Sequence, residues 1–419
     1  MEKKNNYEVF FQEGKCICCC AKDGRVMSAT ETTLCGNAVR EISPIYKKML
    51  STTQTNINIE SAIKKLGQYD RDIHLINKDE KKSCTKEAKL NSDVLAALCE
   101  MSTIASTLEC SLLIVESQKG IYNYEQREFV QCNKESYAFW SIQNREDIVW
   151  KRNISGMFSF EYVVKYREKI TQEKEWLTES LHEIGEAGYR NILFMGGASC
   201  GLYHEIIGHA LEAVRAVKRE CIKGDYRKKL VNYPLNVYDD VLRLGYEIGF
   251  DDEGTRKKST QLMSDGNTKT LLTDKSHCPD GMELTGNGRR NSVFFFPETR
   301  MYRLRVQAGE QIVDELVHNI DNALVVTDIY MGNVEHETGI VQLYANVEGE
   351  IIDGKLYTKK MNILIRDNIF HFYEGVYAIS NTLHFKGIHC VSGSGPLYTE
   401  AETPDTLINH IYIERTWIS

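Results

Sequence analysis

The chain has 419 residues, 42% of them hydrophobic and 26% charged, with only 6 prolines, which describes a soluble globular protein rather than a disordered or fibrous one. That length suits two or three domains and excludes one small module. A formal net charge of -8 argues against a general binder of nucleic-acid backbones, and no run approaches the ~20 apolar residues that a membrane-spanning helix needs.

Met1–Asn6 is charged and no apolar stretch follows it, so the chain carries no expected secretory signal and a cytoplasmic address is expected. Residues 7 to 43 alternate like a short meander, with turns expected at Glu13-Gly14 and Asp23-Gly24. Tyr7 to Phe11 reads as a strand, and Cys16, Cys18, Cys19 and Cys20 sit where its hairpin partner would lie. Alternation aims Cys16, Cys18 and Cys20 at one face. The 13 cysteines are scattered through a chain that is neither small nor visibly secreted, so they read as reduced thiols and the cluster as part of a buried strand. Residues 92 to 106 read as a helix with Val94, Leu95, Leu98 and Met101 at helical spacing, residues 112 to 116 and 158 to 164 as strands, and residues 171 to 187 as a charged amphipathic helix stopped by Gly188. Asn191 to Met195 reads as a buried strand, followed by a glycine turn and a helix that carries two histidines. That order would also suit a phosphate loop, but the lysine of a Walker loop is missing and the glycine spacing is wrong for a dinucleotide site. Beyond residue 240 short strands and turns dominate, interrupted by a helix from about Glu310 to Ala323. The expected fold class is therefore α+β. Residues 1–190 form a mixed domain of sheet and flanking helices, and residues 191–419 a mostly antiparallel β domain, with the histidine helix between them.

His204-Glu205-Ile206-Ile207-Gly208-His209 places two imidazoles and a carboxylate within six residues. This donor set suits a metal hydrolase, because zinc takes neutral imidazole and an adjacent carboxylate can accept a proton from water. On a regular helix, residues five apart are offset by about 140°. The two rings can therefore meet one ion only if the helix carries a π-bulge or ends between them. Two protein ligands hold a catalytic metal poorly, so a third is expected from elsewhere. The glycine-flanked loop Gly387 to Gly395 presents both His389 and Cys390 as candidates.

The C-terminal half resembles the TldD/PmbA (TldE) family, and specifically its TldD side. The resemblance rests on four ordered segments: Tyr203 to Glu212 against the family's H-E-x-x-G-H-x-L-E helix, Asp251-Asp252-Glu253-Gly254-Thr255, Thr285-Gly286-Asn287-Gly288-Arg289-Arg290, and Ala308-Gly309-Glu310. It runs from about residue 190 onward. It implies zinc (Zn2+) held by His204, His209 and Cys390, with Glu205 as general base. Two segments depart from the family pattern, Val391 to Gly395 after the cysteine and Asp328 to Val334 upstream, and both are expected to line the substrate cleft.

The implied function is a zinc-dependent peptidase acting on short or unfolded peptides. Arg289, Arg290 and Tyr203 are the nearest candidates in sequence for a second oxyanion donor, although surface salt bridging is the plainer reading of the arginine pair. Glu212 either orients His209 or is a solvated helix position. Asp251, Asp252 and Glu253 read as a turn with solvated charges, since the spaced oxygens of a calcium loop are absent. The alternatives are a non-catalytic PmbA/TldE-like assembly subunit and a peptidase specialised for maturing one modified peptide. The family's habit implies a homodimer or a heterodimer with a PmbA/TldE-like subunit.

Overall fold

A computed structural model of the chain describes residues 6–42, 47–53, 57–77, 85–88, 92–103, 108–124, 127–144, 151–157, 183–184, 187–216, 229–243 and 245–414. Strands dominate and helices are few and short, an α+β architecture of two sheet-rich parts with the histidine helix between them. Among the described residues no helix is long and apolar enough to cross a membrane.

The first part is built from β1 (Asn6–Lys22), β2 (Arg25–Thr33), β3 (Gly36–Ile42), β4 (Lys48–Thr52), β5 (Ile73–Asn77), β6 (Leu108–Asn123), β7 (Glu128–Asn144) and β8 (Lys151–Met157). Helix α1 (Ile59–Leu66) starts where Asn58 accepts from the Ser61 amide and buries Ala62 and Leu66 against Val9, Val39 and Leu50. Helix α2 (Ser92–Ser102) buries Val94, Leu98 and Met101 against Ile17, Cys19 and Ala21. The turn at Asp23-Gly24 is present, but the chain does not turn at Glu13-Gly14. There β1 continues in register with β6, from Glu8 opposite Asn123 to Lys22 opposite Glu109. The cysteine cluster therefore lies on the same strand as Tyr7 to Phe11. Ile17, Cys19 and Ala21 face the core, while Cys18 is exposed and Cys16 and Cys20 are partly so. The buried reading thus holds for Cys19 alone of the four.

The second part contains β9 (Gly188–Phe194), β10 (Asn322–Val334), β11 (Ile340–Ile352), β12 (Lys355–Asn368), β13 (Val376–Ser392) and β14 (Gly395–Glu414), with α3 (Ala198–Tyr203), α4 (Val313–His318) and α5 (Ile369–Gly375). Strand β9 lies parallel to β10 and antiparallel to β14, and β10, β11 and β12 form an antiparallel meander. The end of β12 pairs with the end of β14, Ile365 opposite Ile413, which closes these five strands into a ring. Tyr203, Ile206, Ile207 and Ala210 of the histidine helix share one core with Val326, Leu343, Val347 and Ile363 of that ring. Helix α4 is shorter than the sequence suggests, because Ile312 is extended and Asn322 already belongs to β10. The strand expected at 158–164 and nearly all of the helix expected at 171–187 lie outside the described residues. Of the latter, Glu183–Ile184 is a strand pair alongside Met361–Asn362.

Buried ion pairs and one strand contact, Gly387 opposite Ser155, join the two parts. Arg40 sits between Glu8 and Glu253, 2.6 Å from each. Lys119 reaches Asp252 at 3.1 Å and Glu135 at 3.4 Å. Asp251 accepts from the amides of Glu253, Thr255 and Gly288. The acidic turn is thus buried, not solvated: its side chains organise their own loop and meet cations more than a hundred residues away in sequence.

Candidate metal centre

Helix α3 starts beyond the end of β9 and becomes a π turn over His204–Gly208, in which the His209 amide donates to the His204 carbonyl five residues back. This wider turn reduces the angular offset that a regular helix would impose. The two imidazoles meet edge to face, with ring centroids 4.7 Å apart and planes at 78°. Tyr373 donates from Oη to the Ile206 carbonyl at 2.6 Å and so satisfies one group inside the irregular turn. Gly208 permits close packing there, since a Cβ would lie 2.5 Å from Met301 Sδ.

Residues 387–395 are not a free loop. They are the end of β13 and the turn into β14, where Cys390 pairs with Leu397. Successive strand side chains point to opposite faces. Cys390 turns toward His209, with Sγ 3.1 Å from Nε2, whereas the His389 ring lies tilted against Phe139 with centroids 4.6 Å apart. One ligand atom from each of His204, His209 and Cys390 lies within 4.8 Å of the others. Both ring nitrogens of His204 are buried and make no hydrogen bond. Leaving such a group unsatisfied costs about 1–3 kcal/mol, and a bound cation relieves it. Two imidazoles and a thiolate fit a borderline metal ion.

Glu212 fixes the second histidine. His209 Nδ1 donates to its Oε2 at 2.9 Å, leaving Nε2 toward Cys390, and the Met301 amide donates to its Oε1 at 3.2 Å. Burial holds both histidines below their ordinary pKa, His209 strongly, and keeps them neutral. Burial also acts to raise the Cys390 thiol, while the Arg300 guanidinium acts to lower it. Arg300 anchors the hairpin, donating to the Cys390 carbonyl at 2.8 Å and to Ser394 Oγ at 3.0 Å. Burial raises Glu205 to about 7.

His204, Glu205, His209 and Cys390 line a cavity of about 470 Å³. Its walls include residues 329–334 of β10, nearly all of the upstream segment expected along a cleft, and 386–391 of β13, of which only Val391 belongs to the segment expected at 391–395. Arg289, Arg290 and Tyr203 do not line it. Arg289 donates to the carbonyls of Met301 and Tyr398, Arg290 lies over the Phe10 ring at 3.9 Å, and Tyr203 Oη accepts from Thr406. All three are buried, so neither an oxyanion role nor surface salt bridging describes them. Sequence reasoning missed Arg215 and Arg300. Arg215, three residues beyond Glu212, was within reach of helical spacing; nothing in the sequence marks Arg300.

The sequence profile of the PmbA/TldA metallopeptidase C-terminal domain matches residues 187–415. The chain is 28% identical over 165 residues to a metalloprotease TldD homolog of Buchnera aphidicola (subsp. Acyrthosiphon pisum), and 27% identical over 177 residues to one of Haemophilus influenzae. These stretches cover 38% and 41% of the chain but only 34% and 36% of the two relatives, about a third of each. In fold it is similar to TldE from Thermococcus kodakarensis, with a TM-score of 0.71 at 15% identity, covering 97% of this chain and 96% of that one. The profile spans more than half of the sequence and includes both histidines, Glu205 and Cys390, and the chain belongs to the TldD/PmbA family.

Proposed function

We propose that the protein is a zinc-dependent metallopeptidase that hydrolyses peptide bonds in short or unfolded peptides. The observation that carries this reading is the convergence of His204, His209 and Cys390 beside Glu205 on one cavity. Zinc held by those three side chains supplies a Lewis acid that polarises a peptide carbonyl and acidifies water. Burial keeps both imidazoles neutral and able to offer lone pairs, and the Arg300 guanidinium favours the Cys390 thiolate. Glu205, beside the three donors on the cavity wall, takes a proton from water and returns it to the leaving amine. Glu212 holds His209 in the tautomer that aims Nε2 at the site.

The retention of all four groups favours a peptidase over a non-catalytic assembly subunit. The diverged cavity walls leave room for specialisation toward one modified peptide. We propose that the protein acts as a homodimer or beside a PmbA/TldE-like subunit, in the cytoplasm. Ten cysteines among the described residues are free thiols, which suits a reducing compartment. Metal analysis of the purified chain, combined with cleavage of a peptide mixture read by mass spectrometry, tests the proposal. It predicts about one zinc per chain and cleavage that chelation abolishes. A metal-free preparation that still cleaves would contradict it.

A further inference from the structure

Two long cations line the cavity, Arg215 and Lys386. Lys386 is committed: its ammonium donates to the Asp328 carboxylate and to the Ile329 carbonyl at 3.0 Å. Among the described residues, Arg215 is committed only in part. Its Nη1 lies 3.2 Å from Glu212 Oε2 and its Nη2 donates to Ser392 Oγ at 2.7 Å. A guanidinium carries five N–H donors in a planar fork, so donors remain beyond these two contacts. The side chain keeps 14% of its surface accessible, while Glu212 is fully buried. The Glu212 charge is also divided among three donors, from Arg215, His209 and the Met301 amide.

The place of Arg215 is as telling as its spare donors. The carboxylate oxygen that Arg215 approaches is the one that receives the His209 ring proton. The guanidinium therefore stands two hydrogen-bond steps from His209. A peptide with its scissile carbonyl at the histidine–cysteine cluster advances about 3.3–3.6 Å per extended residue, so a group one or two residues along comes within reach of the fork. The remaining donors suit a carboxylate, which a guanidinium can bind with two parallel hydrogen bonds.

We infer that Arg215 is a specificity-determining residue that receives a substrate carboxylate beside the scissile bond, either the free C-terminus or an Asp or Glu side chain. This rests on the peptidase reading above. The closing experiment uses the full chain loaded with zinc and matched peptides with a C-terminal acid or amide, and amidated peptides with Glu or Gln near the cleavage point. Wild type cleaves one carboxylate-bearing member of these pairs better by kcat/KM, on the order of tenfold or more. The favoured pair identifies the source of the carboxylate. Arg215→Gln removes the preference mainly through KM, and Arg215→Lys, which keeps charge but loses the fork, retains part of it. Equal cleavage of both members of every pair by wild type would overturn the inference while leaving the peptidase reading standing. An equal loss on all peptides with loss of zinc in both variants would also overturn it, as the mark of a purely structural residue. Cleavage of no peptide by zinc-loaded wild type would sink the peptidase reading itself.

Discussion

Gly332 and Glu205 are in contact across the wall of the cavity: a Cβ at Gly332 would lie 2.7 Å from Glu205 Cγ and 2.8 Å from its Oε1. The missing side chain on β10 is what lets the carboxylate stand where it does. Gly332→Ala should push Glu205 aside without touching a metal donor. A misplacement of about 1 Å can cost ~100-fold in rate, so we expect kcat to fall by about that factor with zinc content unchanged. Steady-state kinetics with metal analysis of the same sample checks this.

Glu212 holds His209 through a 2.9 Å hydrogen bond and is itself fixed by the Met301 amide. Outer partners of this kind typically contribute 10–100-fold to metal affinity. Glu212→Gln should weaken zinc binding by about that factor, measured by competition with a chromophoric chelator. Unchanged affinity would assign Glu212 to the packing of the helix alone.

The π turn depends on Tyr373, whose hydroxyl reaches the Ile206 carbonyl at 2.6 Å. Tyr373→Phe keeps the ring and removes one buried hydrogen bond, at a cost of about 1 kcal/mol, more if the carbonyl is left unpaired. We expect a small fall in thermal stability accompanied by weaker zinc binding, because the turn sets the meeting of the two imidazoles. A fall in stability alone would show that the turn holds without it.

Arg40 bridges Glu8 of the first part and Glu253 of the second, and all three are buried. Removing one member of a buried pair leaves uncompensated charge and costs about 3–5 kcal/mol. Arg40→Met should destabilise by that amount in denaturant titration. Lys86→Ala, which breaks an exposed pair with Glu31, should change stability by less than about 1 kcal/mol. Similar effects from the two would contradict the assigned role of the buried network.

The local signals were the legible ones. The five-residue histidine spacing already required an irregular helix, and the period-two alternation separated the faces of the cysteine strand. What stayed hidden depended on distant partners. Asp252 and Glu253 look like solvated turn residues until Lys119 and Arg40 are brought to them across more than a hundred residues. Arg289 and Arg290 look like surface or site cations until the carbonyls of Met301 and Tyr398 and the Phe10 ring enclose them. Glu13-Gly14 carries a turn signature, but the long register with β6 holds it extended. By residue type alone His389 and Cys390 were equal candidates within a glycine-flanked segment; the family resemblance favoured Cys390, and in the structure it is Cys390 that approaches His209 while His389 lies against Phe139.

We propose that Glu205 is the base beside a metal held by His204, His209 and Cys390. Peptide cleavage by Glu205→Gln, with zinc content determined on the same preparation, tests this at its centre. We expect zinc retained at about one per chain and cleavage reduced to background. Wild-type cleavage in the zinc-loaded variant would contradict it.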